Sequence, residues 1–208
     1  MLVNTGSNTA EVHLNFFADV TGTPLSLPLS FPQSGAGSTT TASTVDQTLA
    51  AGASLTIRST GSLSGPATVG SAQLSTNGNV SGLVIFRYNP NGQEAVIPFE
   101  SRNASAYVLA FDNTAGTATG VAINSVSSQP VDVPVVIRDD TGAQIGTDTL
   151  KLAANGHLSF LLVTDKYSAT ANKRGTIEFV RPARAQIGGL GIRIPVTNTF
   201  TTLPALAK

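Results

Sequence analysis

The sequence predicts an all-β protein of two tandem immunoglobulin-like β-sandwich domains, residues 1–102 and 103–208, related by internal duplication. Three observations carry this. Short stretches rich in Val, Ile, Thr and Phe alternate with Gly, Asn, Pro and Ser clusters, the pattern of a sandwich of short strands. No ten-residue stretch keeps a helical period without a Gly or β-branched interruption, so helix content should be very low. The two halves also repeat one another. Asn4-Thr5 and Asp19-Val20-Thr21-Gly22 recur 120 positions on as Asn124-Ser125 and Asp139-Asp140-Thr141-Gly142. Leu49-Ala50-Ala51 recurs 103 on as Leu152-Ala153-Ala154, and Val80-Ser81-Gly82-Leu83 recurs 107 on as Ile187-Gly188-Gly189-Leu190.

In the first half strands are expected near Glu11–Ala18, Pro24–Leu29, Ser54–Ser59, Val69–Ser75, Gly82–Tyr88 and Glu94–Phe99. The clearest hairpin turns at Asn89-Pro90-Asn91-Gly92, where Asn-Gly tolerates positive φ. Thr76-Asn77-Gly78-Asn79 is a second turn of that kind. In the second half strands are expected near Tyr107–Phe111, Gly120–Ser125, Val131–Asp139, Gln144–Leu152, His157–Val163, Gly175–Val180, Gln186–Ile194 and Phe200–Leu203.

The halves differ in two ways. The first carries an extra, low-complexity stretch from Ser30 to Val45, around Ser34-Gly35-Ala36-Gly37-Ser38, expected as a long mobile loop. The second half opens with Tyr107-Val108-Leu109-Ala110-Phe111 and Val121-Ala122-Ile123, where the first has only Leu2-Val3. One strand and part of the next are therefore lacking from the first sandwich, which leaves a neighbouring edge unpaired. Truncation of a longer parent, pairing with the C-terminal segment and a strand donated by another molecule all account for this. The polar joint Glu100 to Ala106 is short, so the two sandwiches are expected in contact.

Composition narrows function by exclusion. The chain has 208 residues, 41% hydrophobic and 12% charged, with zero formal net charge. Capture of nucleic acid or of acidic membranes needs clustered Lys and Arg. The densest basic run, Lys173-Arg174 with Arg181 and Arg184, is too sparse. There is no cysteine to report on redox compartment. No apolar run approaches the roughly 20 residues of a membrane span. A Ser-, Thr-, Asn- and Gly-rich surface with few charges points to a secreted or cell-surface protein. Met1-Leu2-Val3-Asn4 carries no signal peptide, so an exported protein would be represented by a mature or excised piece.

Several stretches resemble duplicated β-sandwich modules of unknown function in large secreted proteins of soil bacteria, notably acidobacteria. The matching residues are Leu2-Val3-Asn4, Phe16-Phe17-Ala18-Asp19 through Pro24-Leu25, and Leu152-Ala153-Ala154-Asn155-Gly156. The closing pattern runs from Gly175-Thr176-Ile177 through Gly189-Leu190-Gly191-Ile192-Arg193 to Phe200 and Pro204. These motifs are turns and strand cores spread over nearly the whole chain. The resemblance implies a secreted, repeat-built, non-catalytic module with no active-site residues to transfer. It also implies further residues before Leu2, in line with truncation.

Candidate chemistry is thin. The only histidines are His13, on a strand, and His157, after the turn Asn155-Gly156. They occupy non-equivalent repeat positions, and zinc needs three or four ligands. Ser54, Ser75 and Ser159 could enter a Ser-His-Asp triad, but no Gly-x-Ser-x-Gly elbow exists. The nearest approach is Ser62-Leu63-Ser64-Gly65. Of the glutamates Glu11, Glu94, Glu100 and Glu178, Glu94 and Glu100 flank a hairpin strand but suggest no glycosidase pair. Asp19, Asp139 and Asp140 read as turn residues. Calcium on Asp139, Asp140 and Asp148 is the alternative, without an EF-hand spacing. Gly188-Gly189-Leu190-Gly191 reads as a glycine-bearing buried strand, not a phosphate loop. Lys151, Lys166 and Lys173 offer an isopeptide bond little support, and the first half has no lysine. Phe16, Phe17, Phe86, Phe99, Phe160 and Phe179 are expected in the core, leaving Tyr88 and Tyr167 as exposed stacking residues for a sugar.

The expected function is accordingly a non-catalytic, secreted or cell-surface structural or adhesive module, with no cofactor, metal or catalytic residue. Its partners would be other copies of itself or flanking domains of a longer protein, with carbohydrate unsupported and neither nucleic acid nor membrane insertion expected. A filament subunit completed by strand donation, and a hydrolase or carbohydrate-binding module without a recognisable motif, are the alternatives.

Overall fold

Where apolar and polar residues alternate along this chain, the apolar ones are buried: Ala10, Val12 and Leu14 against Glu11 and His13, or Val133, Val135 and Ile137 against Pro134. That period of two commits a segment to a half-buried strand. The computed structural model describes residues 1–35, 39–61, 67–197 and 199–208. The chain is all-β, with 56% strand and 6% helix, in several antiparallel sheets consistent with a β-sandwich. Two compact units are present, one of Met1–Ala18 with Thr23–Phe99, the other of Asp19–Gly22 with Glu100–Lys208.

The first unit contains β1 (Leu2–Asn4), β2 (Ala10–Ala18), β3 (Leu27–Ser30), β4 (Thr39–Ala42), β5 (Thr44–Leu49), β6 (Ser54–Leu55), β7 (Arg58–Ser59), β8 (Gly70–Thr76), β9 (Val80–Tyr88) and β10 (Gln93–Pro98). Its sheets run β10-β9-β1-β6, β5-β2-β8 and β4-β3-β7. Two small apolar clusters lie inside, one around Leu2, Val12, Leu49 and Leu55, the other around Leu14, Leu29 and Val45.

The second unit contains β11 (Ala106–Asp112), β12 (Ala118–Ser125), β13 (Val131–Asp139), β14 (Gln144–Leu152), β15 (His157–Leu161), β16 (Arg174–Val180), β17 (Ile187–Ile194), β18 (Thr201–Pro204) and β19 (Leu206–Ala207). A five-stranded sheet, β14-β13-β16-β11-β19, and a four-stranded one, β15-β12-β17-β18, share a single core. Leu109, Ile177 and Phe179 from the first and Val121, Ile123 and Ile187 from the second belong to it.

Strand order is the same in both units where both have strands. β10-β9-β1-β6 corresponds to β18-β17-β12-β15, and β5-β2-β8 to β14-β13-β16. Local detail follows. Asn4 N–H donates to Ala53 O and Ser125 N–H to Gly156 O; Ala53 N–H donates to Ala50 O and Gly156 N–H to Ala153 O. Gly52 and Asn155, at matching turn positions, both have positive φ, 72° and 54°. Asn4 Oδ1 accepts from Gly6 N–H, as Ser125 Oγ accepts from Ser127 N–H.

Four sequence expectations are corrected. Pairing sets Asn4 opposite Val80 and Ser125 opposite Ile187, so Asn4 corresponds to Ser125, not to Asn124. The turn after β2 is one residue longer than that after β13, because Ala18 N–H reaches Thr23 O whereas Asp139 N–H reaches Ala143 O. Aligning the two Asp-x-Thr-Gly turns therefore slips the preceding strands by one residue, which in a sheet exchanges inner and outer faces. Second, the stretch Ser30 to Val45 is not one loop. It holds a 3-10 turn at Pro32–Ser34, all of β4 and the start of β5. Its threonines are β-branched residues that suit a pleated strand, while Ala36, Gly37 and Ser38 lie outside the described residues. Third, Ser54–Ser59 is two short strands, because β6 pairs with β1 and β7 with β3, in different sheets. Fourth, β15 stops at Leu161, where the chain enters a π-helical turn at Leu162–Lys166.

Candidate functional site

On the outer face of β5-β2-β8, antiparallel register brings three distant residues into one row. His13 on β2 lies opposite Asp46 on β5 and opposite Ser75 on β8. His13 Nδ1 bonds Asp46 Oδ1, with the two side chains 48% and 71% exposed. Beside this row Glu11 and Asn77 clasp each other. Glu11 N–H donates to Asn77 Oδ1 at 2.8 Å and Asn77 Nδ2 donates to Glu11 Oε2 at 3.1 Å. Glu11, His13, Asp46, Thr48, Ser75 and Asn77 line a shallow, water-open concavity.

The order Asp-His-Ser is that of a nucleophile, its base and the base's orienting carboxylate. A working triad also needs a hydrogen bond between nucleophile and base, and donors for the oxyanion in a water-poor site. Among the described residues none of the hydrogen bonds joins His13 to Ser75, and the face is open to water. The row supplies an oriented, solvated imidazole. Sequence reading could not assemble it, because Asp46 follows the stretch expected as a loop and the strand register alone places it beside His13.

The other candidates are dispersed. His157 opens β15, is buried, and has Nδ1 2.7 Å from Asp19 Oδ1, both in the second unit. Asp139 Oδ1 accepts from Thr141 Oγ1 at 2.6 Å, Thr141 N–H at 3.0 Å and Ala143 N–H at 3.1 Å. The Thr141 hydroxyl beside it holds the Asp139 carboxyl below the usual range. Asp148 Oδ2 instead accepts from Tyr167 Oη at 2.9 Å. Among the described residues no three His, Asp or Glu side chains converge as a metal would require, Asp139, Asp140 and Asp148 included. Glu94 faces Arg87 across the hairpin, and Glu100 pairs with Arg102. Gly188 to Gly191 lie in β17. Ser62-Leu63-Ser64-Gly65 lies outside the described residues.

Two aromatic expectations are also corrected. Tyr167 is 9% exposed, its ring edge-on to Phe160 at 5.7 Å, and its burial and the Asp148 carboxylate push the phenol pKa far up. Phe86, expected in the core, is 49% exposed.

The sequence gives Glu178 no role beyond its place among the four glutamates. It lies on β16, nearly buried, with Arg138 Nη1 at 2.9 Å and Lys208 Nζ at 2.8 Å. Lys208, then Arg138, hold its carboxyl below the usual range against the opposing effect of burial. Since the folded value is depressed, this contribution to stability is present above the ordinary glutamate value and lost as pH falls through the folded one. Glu178→Gln is expected to cost about 1.5–3 kcal/mol at neutral pH, the range for hydrogen bonds to charged groups. Denaturant curves of parent and variant should converge in acid; a gap that persists or widens there would show that the charge is not what matters.

A scan of protein families and searches of curated proteins and solved structures return no match to this chain.

Proposed function

We propose that the chain is a non-catalytic structural or adhesive module of a secreted or cell-surface protein, built from two immunoglobulin-like sandwiches descended from one duplicated unit. The observation that carries this reading is the common strand order of the two units, together with matching backbone bonds around Asn4 and Ser125. Coincidence rarely reproduces both a topology and the hydrogen bonds of a turn. Several of the buried polar side chains serve the backbone. Asn4 Nδ2 donates to Leu49 O at 2.9 Å and Asn8 O at 2.8 Å, and Asn113 Oδ1 accepts from Thr119 N–H at 2.8 Å. Groups tied in this way maintain bends and are not free to meet a substrate. The sparse, balanced charge suits a spacer that presents flanking segments without attracting polyanions.

The test is a screen of the full chain against ester, glycoside and peptide substrates, in parallel with His13→Ala. No turnover above background is expected from either protein. Turnover by the parent that disappears in a His13→Ala protein of unchanged thermal stability would replace this reading with a hydrolase built on Asp46, His13 and Ser75.

A further inference from the structure

We infer that Asn77 is a self-modifying site, whose carboxamide is lost as ammonia to attack by the Gly78 nitrogen, with Glu11 as the proton carrier. The inference is independent of the proposed function and rests on a comparison within the chain. Asn followed by Gly occurs three times, at Asn77-Gly78, Asn91-Gly92 and Asn155-Gly156. Asn is a chemically labile side chain, and a following Gly has no Cβ to keep its nitrogen away from the carboxamide.

What separates the three pairs is the hold on the attacking nitrogen. Gly92 N–H donates to Tyr88 O at 2.8 Å and Gly156 N–H to Ala153 O at 2.9 Å. Both acceptors are backbone carbonyls of the turn itself, so freeing either nitrogen means opening the turn. Gly78 N–H donates instead to the Thr76 hydroxyl, at 3.2 Å. Thr76, Asn77 and Gly78 are exposed, and a hydroxyl swings away by one side-chain torsion without moving the backbone.

The clasp on β2 places the carboxamide for the reaction. Asn77 Oδ1 accepts from Glu11 N–H at 2.8 Å, a fixed donor where negative charge gathers as the nitrogen adds. Asn91 Oδ1 has a like donor in Gln93 N–H at 3.0 Å, so this contact alone does not set Asn77 apart. Asn77 Nδ2 also donates to Glu11 Oε2 at 3.1 Å. That puts a carboxylate at hydrogen-bond distance from the atom that must gain a proton to leave.

The step balances. Gly78 N loses its proton to water and bonds Asn77 Cγ, giving Oδ1 the negative charge. Glu11 takes a proton from water and passes it to Nδ2. The Cγ–Nδ2 bond then breaks, the carbonyl reforms, and ammonia leaves behind a five-membered succinimide. Water adds to either ring carbonyl, and the ring opens to aspartate or isoaspartate at position 77. The product carboxylate faces the Glu11 carboxylate, and like charges set opposite each other repel. The clasp beside His13 therefore opens, and isoaspartate adds a methylene to the backbone between β8 and β9.

The experiment incubates the full chain at mildly alkaline pH and follows each amide by mass spectrometry of tryptic peptides. The three pairs fall on separate peptides, Ser59–Arg87, Tyr88–Arg102 and Leu152–Lys166. Synthetic copies of these peptides give each site's rate without the fold. Asn91 and Asn155 are expected to react about fivefold or more slowly in the protein than in their peptides, the effect of one backbone hydrogen bond. Asn77 is expected to react at least as fast in the protein as in its peptide. Glu11 is exposed, and Glu11→Gln keeps an acceptor for Nδ2 but carries no proton. This variant should slow Asn77 about tenfold, less than a water-excluded proton carrier supplies. Asn91, Asn155 and the unfolding midpoint should be unchanged in it. Asn77 slowed by the fold as much as the other two, or loss at Asn77 indifferent to Glu11→Gln, would each overturn the inference. So would Asn91 or Asn155 reacting ahead of Asn77 in the folded chain. None of these results touches the non-catalytic reading, which turnover alone would overturn.

Discussion

Phe179→Ala is expected to lower the unfolding free energy of the second unit by about 3–5 kcal/mol, the range for truncating a fully buried aromatic. Phe179 is 0% exposed on β16, opposite Val135 on one side and Tyr107 on the other. With both neighbouring strands pinned in the sheet, the cavity cannot collapse, and cost rises with the volume left empty. A domain of this size holds roughly 5–10 kcal/mol in all, so about half would be lost. The corresponding Leu74→Ala in the first unit should cost only about 1 kcal/mol, because a half-buried leucine has less apolar surface to lose. Denaturant unfolding of the full chain, resolved into its transitions, measures both. Equal losses at the two positions would mean that the first unit is as closed as the second.

Much of the fold was legible because period-two alternation and turn residues are local signals. Val131–Asp139 and Gln144–Leu152 match the expected bounds. The Asn-Gly hairpin turn forms with Gly92 at φ 72°. What could not be read depends on partners far along the chain. β4 is Thr39-Thr40-Thr41-Ala42 and β5 opens on Thr44, next to a Gly- and Ser-rich stretch, so composition reads the segment as a linker until a neighbouring strand offers it a ladder. Phe86 looks like core by type and position, yet it is 49% exposed on β9, because its burial depends on what neighbouring strands cover and not on its own residue type. The His13 row is invisible for the same reason. His13, Asp46 and Ser75 come from three strands, and only cross-strand register makes them neighbours. Between the halves the Asp-x-Thr-Gly turn is a false register mark, because it hides a one-residue difference in turn length that parity of burial exposes.

The same dependence on neighbours governs the second large effect, at Gly175. A Cβ there would lie 1.9 Å from Arg138 O and 2.8 Å from Asp139 Cα, backbone atoms of the adjoining strand β13. A side-chain rotamer cannot relieve a clash with backbone, so β16 would have to move away from β13. It cannot do so cheaply, since β11 closes its other edge. Gly175→Ala is therefore expected to cost about 3 kcal/mol or more, at the upper end for overpacking. Gly70 is the matching position on β8, where a Cβ would lie 2.2 Å from Phe17 O. The chemistry of the clash is the same but the surroundings are not. β8 has no strand beyond it among the described residues and can shift outward. Gly70→Ala should accordingly cost about 1–2 kcal/mol, the middle of the overpacking range. Paired unfolding measurements on the two variants test the argument. A Gly175→Ala protein within about 0.5 kcal/mol of the parent, the scatter of neutral surface changes, would show that β16 is not held between its neighbours. Equal costs at Gly70 and Gly175 would show that β8 is held as firmly as β16.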